Sequence, residues 1–286
     1  MITATYETFR RGTSNAMFWL SIACAAAIIG ILALVGIYLA SIGLGSLSWT
    51  FFTQLPTGRV ESPGGMYHAI VGTGMLVLLA SALGVPMGML AGVYLSEYKS
   101  EKTLVTMIRF VADVLTGVPS IVVGILGYEL LVVPMGGFNG WAGAFALAFI
   151  MVPIVARTTE EMLRLVPRSY REGSLALGAT KSQTILRVVL PAATGSIVTG
   201  IMLALARVAG ETAPLLFTAL GSRLLTTNPS QPFPSLTVQI YTYATGPYQE
   251  QKKLAWAGIL VLIGLMFLLN LGIRFFASRT TRGIVK

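Results

Sequence analysis

The chain has 286 residues, of which 55% are hydrophobic and 11% are charged, and its mean hydropathy is +0.77. Soluble globular domains carry about 25% charged residues, so this composition excludes an ordinary soluble protein and indicates an integral membrane protein. The net charge of +9 is compatible with nucleic acid or anionic lipid until the charges are located. A single cysteine, Cys24, excludes an intrachain disulfide, and no cluster of metal-ligand residues is apparent.

Apolar segments long enough to cross a bilayer, which takes about 20 helical residues, cover 17–41, 67–94, 104–133, 140–163, 192–220 and 255–276. The third is too long for one straight helix, and Pro119 in LTGVPSIVVG is expected to kink it or to divide it into two half-segments. In the second, glycines at four-residue intervals predict a smooth ridge for close helix packing, formed by Gly84, Gly88 and Gly92. We therefore predict an all-α membrane protein with six transmembrane helices.

Lysine and arginine are distributed unequally between the connecting segments. With a cytoplasmic N-terminus, the cytoplasmic segments hold Arg10, Arg11, Lys99, Lys102, Arg157, Arg164, Arg168, Arg171, Lys181, Arg187, Arg274, Arg279, Arg282 and Lys286. The external segments hold only Arg59, Arg223, Lys252 and Lys253. This positive-inside bias predicts that both termini are cytoplasmic. The basic surplus marks orientation, so nucleic acid is not expected as a partner. The two long external segments, 42–66 and 221–254, are expected to be irregular or short-helical.

The segment SYREGSLALGATKSQTILRVVLP, residues 169–191, predicts a rigid protrusion on the cytoplasmic face. Capping-box spacing occurs twice, at Ser169–Glu172 and at Thr180–Gln183. Gly178 between them can adopt positive φ and form an elbow, and Pro191 is expected at the start of the next span. GATKS is not a phosphate-binding loop, because Thr180 rather than glycine precedes Lys181.

Residues 172–191 resemble the EAA loop of the permeases of bacterial ABC importers. The matching positions are Glu172, Gly173, Ser174, Gly178, Val188, Leu190 and Pro191. Gly173 and Ser174 stand where the family usually has alanine, and Val188 stands where it usually has isoleucine. The resemblance implies that this loop docks an ATPase subunit.

Two further segments, RVAGETAPLLFTAL and MVPIVARTTEEMLRLVP, are similar to the permeases of the phosphate-specific (Pst) importers, and the GETAP run resembles the A-type more than the C-type permease. LTGVPSIVVG and LTVQIYTYATGP add weaker support. The resemblance covers nearly the whole chain and is thinnest over residues 1–65. It implies a type I ABC-importer permease fold and a multi-pass protein of the bacterial inner membrane. Residues 1–66 would hold the N-terminal segment, the first helix and an external loop, and residues 67–280 the permease core.

The same resemblance implies a complex that imports inorganic phosphate. The expected partners are a second, C-type permease, two ATPase subunits and a periplasmic or lipid-anchored phosphate-binding protein, besides membrane lipid. ATP and Mg²⁺ would bind to the ATPase subunits. This chain would then be no enzyme and hold no cofactor.

Charged residues within the predicted spans need a reason, because a charge at the bilayer centre costs about 2.5–3.5 kcal/mol on insertion scales. Five of them are Arg109, Asp113, Glu129, Arg207 and Glu211. The pairs Arg207–Glu211 and Arg109–Asp113 are each four residues apart, so on a helix the partners share a face. A guanidinium group matches a tetrahedral oxyanion with parallel donors. The pairs therefore predict an anion path in which Glu211 serves as the counter-ion of Arg207, with Arg157 passing the anion inward.

Other interpretations remain open at this stage. Each ion pair could be a static bridge that fixes helix packing, Arg157 could be an interfacial anchor, and Glu129 has no assigned role. Sulfate or molybdate could replace phosphate as the cargo. A membrane enzyme finds little support, since there is one histidine and no nucleophile with a base at recognisable spacing. A membrane sensor or scaffold that does not transport is the remaining alternative.

Overall fold

The computed structural model describes residues 2–59, 63–98 and 102–282, and the side-chain surroundings of 13–59, 63–98 and 103–272. Its helices are α1 (Ile2–Gly43), α2 (Trp49–Thr53), α3 (Tyr67–Glu97), α4 (Lys102–Gly117), α5 (Ser120–Gly127), α6 (Gly140–Leu165), α7 (Arg168–Ala176), α8 (Lys181–Thr184), α9 (Leu190–Ala209), α10 (Ala213–Thr218), α11 (Leu236–Thr245) and α12 (Gln249–Arg282). A π-helical turn extends α5 over Tyr128–Val132, and another joins α8 to α9 over Ile185–Val189. These ranges contain no β-strand, only two isolated bridges, so the all-α prediction is confirmed.

Five of these helical segments are long and apolar enough to cross a membrane: 13–46, 67–97, 140–165, 181–209 and 249–272. Helices α4 and α5 together form a sixth candidate, which is bent by 101°. Counting this bent pair as one span gives the predicted six. The sides on which the termini lie, and the division at residue 66, stay predictions. Of the basic residues used to predict orientation, Lys99 and Lys286 lie outside the described residues, as do the side chains of Arg10, Arg11, Lys102, Arg274, Arg279 and Arg282.

The glycine ridge of α3 packs directly against α6. A Cβ atom added to Gly84, Gly88 or Gly92 would lie 3.1, 2.7 and 2.6 Å, respectively, from atoms of Met151, Val155 and Ala156. Distances this short leave no room for a side chain, so the ridge prediction is confirmed. Leu76, Leu147 and Val155 are buried in the central core that this contact helps to form.

The third span is broken at the predicted place. Helix α4 ends at Gly117, and Pro119 has extended backbone angles (φ −57°, ψ 133°) before α5 begins. Helix α5 then packs against α10, because Gly124 lets the backbone of Pro214 approach to within 2.9 Å of where a Cβ atom would lie. The break bends the span by 101° and places α5 against α10 and α6.

The α7–α8 hairpin (residues 168–184) follows α6, and its elbow has the predicted conformation. Gly178 has a φ of +85°, in the left-handed region that favours glycine. At the start of α8, Gln183 donates its backbone N–H to Thr180 Oγ1 at 3.3 Å, and Thr180 donates its own N–H to Gln183 Oε1 at 2.9 Å. The predicted capping box at Thr180 is therefore confirmed.

Another prediction for this segment is wrong. Helix α7 begins at Arg168 after Pro167, so Ser169 already lies in the first turn and cannot cap the helix. Pro191 lies in the first turn of α9, as predicted, although the chain is helical without a break from Lys181 to Ala209. The π-helical turn just before Pro191 widens the helix where the proline ring would otherwise meet the carbonyl group of Arg187.

The predicted fifth span, 192–220, is also corrected, since α9 ends at Ala209 and α10 is a separate short helix. Apolar composition continues across this break, and Pro214, which lacks an N–H donor, prevents one helix from continuing through it. The two segments predicted to be external are irregular or short-helical as expected, with α2 in the first and α11 in the second. Helix α11 is tied to α3, because Leu236 donates its N–H to Thr73 Oγ1 at 2.7 Å.

Candidate functional site

Glu160 of α6 is the centre of a charged cluster, and its side chain is fully buried. Its Oε1 atom accepts hydrogen bonds from Arg109 Nε of α4 and from Arg164 Nη2, each at 2.6 Å. Its Oε2 atom lies 3.6 Å from Arg157 Nη1. Three arginines thus converge on one carboxylate, which supplies the charge compensation that a buried ion requires.

The predicted pair between Arg109 and Asp113 does not form among the described side chains. Arg109 instead turns toward Glu160 and donates a second hydrogen bond to the carbonyl oxygen of Leu95 at 3.1 Å. Asp113 is 59% exposed and its Oδ1 atom lies 4.0 Å from Arg157 Nε. The physical reason is that an exposed pair four residues apart contributes only about 0.3–0.5 kcal/mol, whereas Glu160 is buried and needs the cation.

Arg157 lies between the buried and the exposed acids of this cluster. Its Nε atom is 3.0 Å from Glu161 Oε1, one helical turn along α6. The side chain is 41% exposed, so part of the guanidinium group remains free for another contact. Arg157 is therefore a member of a charge network.

A second charged site, Arg207 with Glu211, lies where α9 ends. The Nε and Oε1 atoms of the two side chains are 3.9 Å apart, which is ion-pair contact but too long for a hydrogen bond. Glu211 lies just beyond the helix, and its carbonyl oxygen accepts a hydrogen bond from Thr237 of α11 at 2.9 Å. The Arg207 side chain is 53% exposed and that of Glu211 is 14% exposed. The two residues meet, although they do not share one continuous helix.

The two charged sites lie at different depths of the bundle. A Cβ atom on Gly200 of α9 would lie 2.7 Å from Thr158, the residue next to Arg157 on α6. Arg207 is seven residues further along α9, or about 10 Å at 1.5 Å per residue. Along the direction of α9, the two sites are thus separated by roughly two helical turns.

The residues that match the EAA loop are spread over the α7–α8 hairpin and the start of α9. Glu172 and Gly173 are exposed on α7, while Ser174 shares a 2.9 Å hydrogen bond with Thr184 of α8. Val188, Leu190 and Pro191 are partly buried where the hairpin runs into the span. Beside the hairpin lies an open cavity of about 720 Å³, lined by basic and acidic side chains that include Arg168, Glu172 and Lys181.

Sequence reasoning missed Glu160, the residue at the centre of the charged cluster on α6. Glu160 and Arg164 follow Arg157 by three and seven residues, a spacing that places all three on one helical face and could have revealed them. It also missed the ion pair between Glu97 and Arg171, which are 74 residues apart and have no local signature. Glu129 is exposed within the π-helical turn and enters no ion pair in the part of the chain whose side chains are described.

A helical bundle with five apolar spans, one broken span and charged side chains within the helices defines a multi-pass membrane protein. Residues 84–282 match the family model described as binding-protein-dependent transport system inner membrane component. The chain belongs to this family, and within it to the group of PstA-type phosphate transport system permeases. It is accordingly a multi-pass protein of the inner membrane.

Two relatives show how far the similarity extends. The phosphate transport system permease protein PstA of Yersinia pestis is 45% identical over 229 residues, covering 80% of this chain and 78% of that protein. The protein of the same name from Xylella fastidiosa strain Temecula1 is 42% identical over 277 residues, covering 96% of both chains. The similarity therefore includes the N-terminal helix as well as the core.

Solved structures agree with the fold. An inward-facing structure of the MetNI methionine ABC transporter superposes with a TM-score of 0.60 at 20% identity, covering 78% of this chain and 95% of that chain. An amino acid ABC transporter determined with histidines gives a TM-score of 0.53 at 20% identity, over 76% of this chain and 92% of that chain. The fold is thus that of an ABC-importer permease, as expected.

Proposed function

We propose that this chain conducts inorganic phosphate across the inner membrane into the cytoplasm, as one permease of an ATP-driven importer. The relatives named as phosphate transport system permeases support this cargo. The observation that carries the proposal is the half-exposed Arg207 side chain at the end of an apolar helix. A charged group facing lipid there would be costly, so Arg207 faces a hydrated cavity or a partner subunit.

The geometry of the pair Arg207–Glu211 suits a transient anion site. Guanidinium stays protonated at every working pH and presents parallel donors to a tetrahedral oxyanion. Because Glu211 holds Arg207 at 3.9 Å rather than by a short hydrogen bond, phosphate oxygens can replace the carboxylate at small cost. Glu211 then serves as the resting counter-ion of Arg207.

The charged cluster around Glu160 is proposed as the next anion-binding position on the path. Arg157, which lies about 10 Å inward by the helix geometry and is 41% exposed, would receive the anion. Exposed Asp113 lies beside Arg157 and would oppose a second anion at this position. Arg109 is proposed to hold the buried Glu160 in place, close to the path but without contacting the cargo.

The remaining assignments concern the complex. We propose that the α7–α8 hairpin and the residues following it, from Glu172 to Pro191, dock an ATPase subunit. The complete importer would hold a C-type permease, two ATPase subunits and an external phosphate-binding protein. ATP and Mg²⁺ would bind to the ATPase subunits, so this chain would catalyse no reaction and need no cofactor of its own.

The test is uptake of radiolabelled phosphate into proteoliposomes that contain the assembled complex and its binding protein. Charge-assisted hydrogen bonds contribute about 1.5–3 kcal/mol, so Arg207→Gln should lower uptake roughly 10- to 100-fold. Its abundance in the membrane should change little, because a loose and half-exposed ion pair stabilises the fold by at most about 1 kcal/mol. The control is Arg59→Gln, an exposed residue of the external segment that should transport normally.

A second variant separates transport from packing. The double variant Arg207→Gln/Glu211→Gln replaces the ion pair by two amides that can still hydrogen-bond to each other. If the pair were only a static bridge, uptake by this variant should recover. An anion site would stay inactive, since the cation is missing. Full uptake by this neutral variant would refute the proposed role of Arg207. Competition by sulfate or molybdate equal to that by phosphate would refute phosphate as the preferred cargo, and absence of uptake by the wild-type complex would favour a scaffold.

A further inference from the structure

The guanidinium group of Arg171 on α7 donates four hydrogen bonds to other parts of the chain. Its Nη2 and Nε atoms donate to the two carboxylate oxygens of Glu97, at 2.6 and 3.1 Å. The side chains of Arg171 and Glu97 are only 20% and 8% exposed. Such a two-point contact fixes orientation as well as distance, and only arginine provides it.

The same guanidinium group also binds the end of α6. Nη1 donates to the carbonyl oxygen of Val166 at 2.8 Å, and Nη2 donates to that of Leu163 at 2.9 Å. Carbonyl groups in the last turn of a helix lack the usual N–H partner four residues further on, and a cation there is stabilised by the helix dipole. Because Glu97 is the last residue of α3, one side chain joins α7 to the ends of two membrane helices.

The other arm of the hairpin is attached to the same end of α3. Lys181 Nζ lies over the ring of Tyr98, 4.0 Å from its centroid, and that ring stacks on Tyr94. The arms are joined to each other by the hydrogen bond between Ser174 and Thr184. The hairpin therefore cannot rotate freely about its connections to α6 and α9.

Helices α3 and α6 are closely packed next to the points where the hairpin is attached. Near the cytoplasmic end, a Cβ atom on Gly92 would lie 2.6 Å from Ala156 O and from Thr159 Cβ. Close packing of this kind transmits displacement, since interiors are nearly incompressible. A force on the hairpin is thus delivered to α3 and α6 together.

We infer that Arg171 is a positioning residue that couples movement of the α7–α8 hairpin to α3 and α6 as one body. This inference rests on the proposed function in one respect, namely that an ATPase subunit moves the hairpin. Arg171 itself touches neither cargo nor nucleotide in this assignment. Its contribution is to couple ATP hydrolysis by the ATPase subunit to transport of the cargo.

The experiment compares Arg171→Gln, Glu97→Gln and the double variant in the assembled complex within proteoliposomes. Phosphate taken up per ATP hydrolysed should fall on the order of tenfold in Arg171→Gln, the scale expected when a charge-assisted contact is lost. Complex abundance and ATP hydrolysis should persist. The double variant should be no worse than Arg171→Gln, because both changes break the same contact. Arg171→Lys, which keeps the charge but not the two-point contact, should be intermediate.

Arg59→Gln is the control, since Arg59 is an exposed arginine that lies outside the hairpin and joins no ion pair among the described side chains. It should transport normally. An unchanged ratio in Arg171→Gln would overturn the inference. A parallel fall of abundance, hydrolysis and uptake would also overturn it, because Arg171 would then only stabilise the fold.

A second readout does not depend on the cargo. Hydrogen exchange is measured with and without ATP and vanadate, over residues 168–184 and over the last turns of α3. In the wild-type complex both segments should change, and in Arg171→Gln only the hairpin should change. If the wild-type complex took up no phosphate, the proposed function would fail while this measurement still decided the coupling role. Equal changes of α3 in both proteins would contradict it.

Discussion

The Nε atom of Arg109 lies 2.6 Å from the Oε1 atom of Glu160, a residue 51 positions further along the chain. This contact joins the first half of the broken span to α6, and it explains why a fully buried carboxylate is tolerated there. Arg164 supplies a second short hydrogen bond to the same oxygen atom. The charged cluster around Glu160 therefore stabilises the bundle, besides forming part of the proposed anion path.

We expect Glu160→Gln to destabilise the protein. The change leaves Arg109 and Arg164 beside a neutral amide, and removing one partner of a buried ion pair costs about 3–5 kcal/mol. Partial exposure of the arginines brings the expected loss toward the lower end of that range. Thermal unfolding in detergent measures it, with Glu161→Gln as the control, since Glu161 is 51% exposed. Equal midpoints for the two variants would contradict the central role of Glu160.

Gly178→Val should impair assembly with the ATPase subunit while the spans still insert. No atom would lie within 4 Å of an added Cβ, so the cost comes from the backbone alone, at φ +85°. A left-handed conformation costs about 1–2 kcal/mol for residues other than glycine, and more for β-branched ones. Co-purification of the ATPase subunit measures the effect. Gly173→Ala, at a helical position that is equally open, should assemble normally, and normal uptake by Gly178→Val would rule out the elbow.

Gly88→Val should separate α3 from α6. An added Cβ would lie 2.7 Å from Val155 Cβ, and overpacking of this kind typically costs about 1–3 kcal/mol. The expected result is a lower melting temperature and less protein in the membrane. Gly74→Val in the same helix is the control, because nothing lies within 4 Å of its added Cβ. If both variants behaved alike, β-branching rather than helix contact would account for the loss.

Orientation can be checked with alkaline-phosphatase fusions. A fusion after Ser230, in the external segment, should be active, and one after Lys181, in the α7–α8 hairpin, should be inactive. The opposite pattern would overturn both the six-span arrangement and the positive-inside interpretation. An immunoblot of each fusion is the control, since it distinguishes an inactive fusion from one that is not expressed.

The sequence by itself determined the features that depend on short-range chemistry. The glycine ridge, the elbow at Gly178, the cap at Thr180 and the break at Pro119 each follow from residues within a few positions of one another. The capping box predicted at Ser169 has an equally local signature and does not form, because α7 already begins at Arg168. The same reasoning placed the end of α9 wrongly, because apolar composition continues from α9 into α10 and hydropathy alone does not register a break between two helices.

The tertiary structure decided which charges meet. Arg109 has an acidic neighbour four residues away, yet it binds Glu160, because burying a carboxylate without a cation costs far more than an exposed local pair returns. Arg171 likewise finds Glu97 across 74 residues at the meeting point of three helices. Long side chains select their partners by burial and by the packing of helix backbones, and neither quantity is encoded in the spacing of charges along the chain.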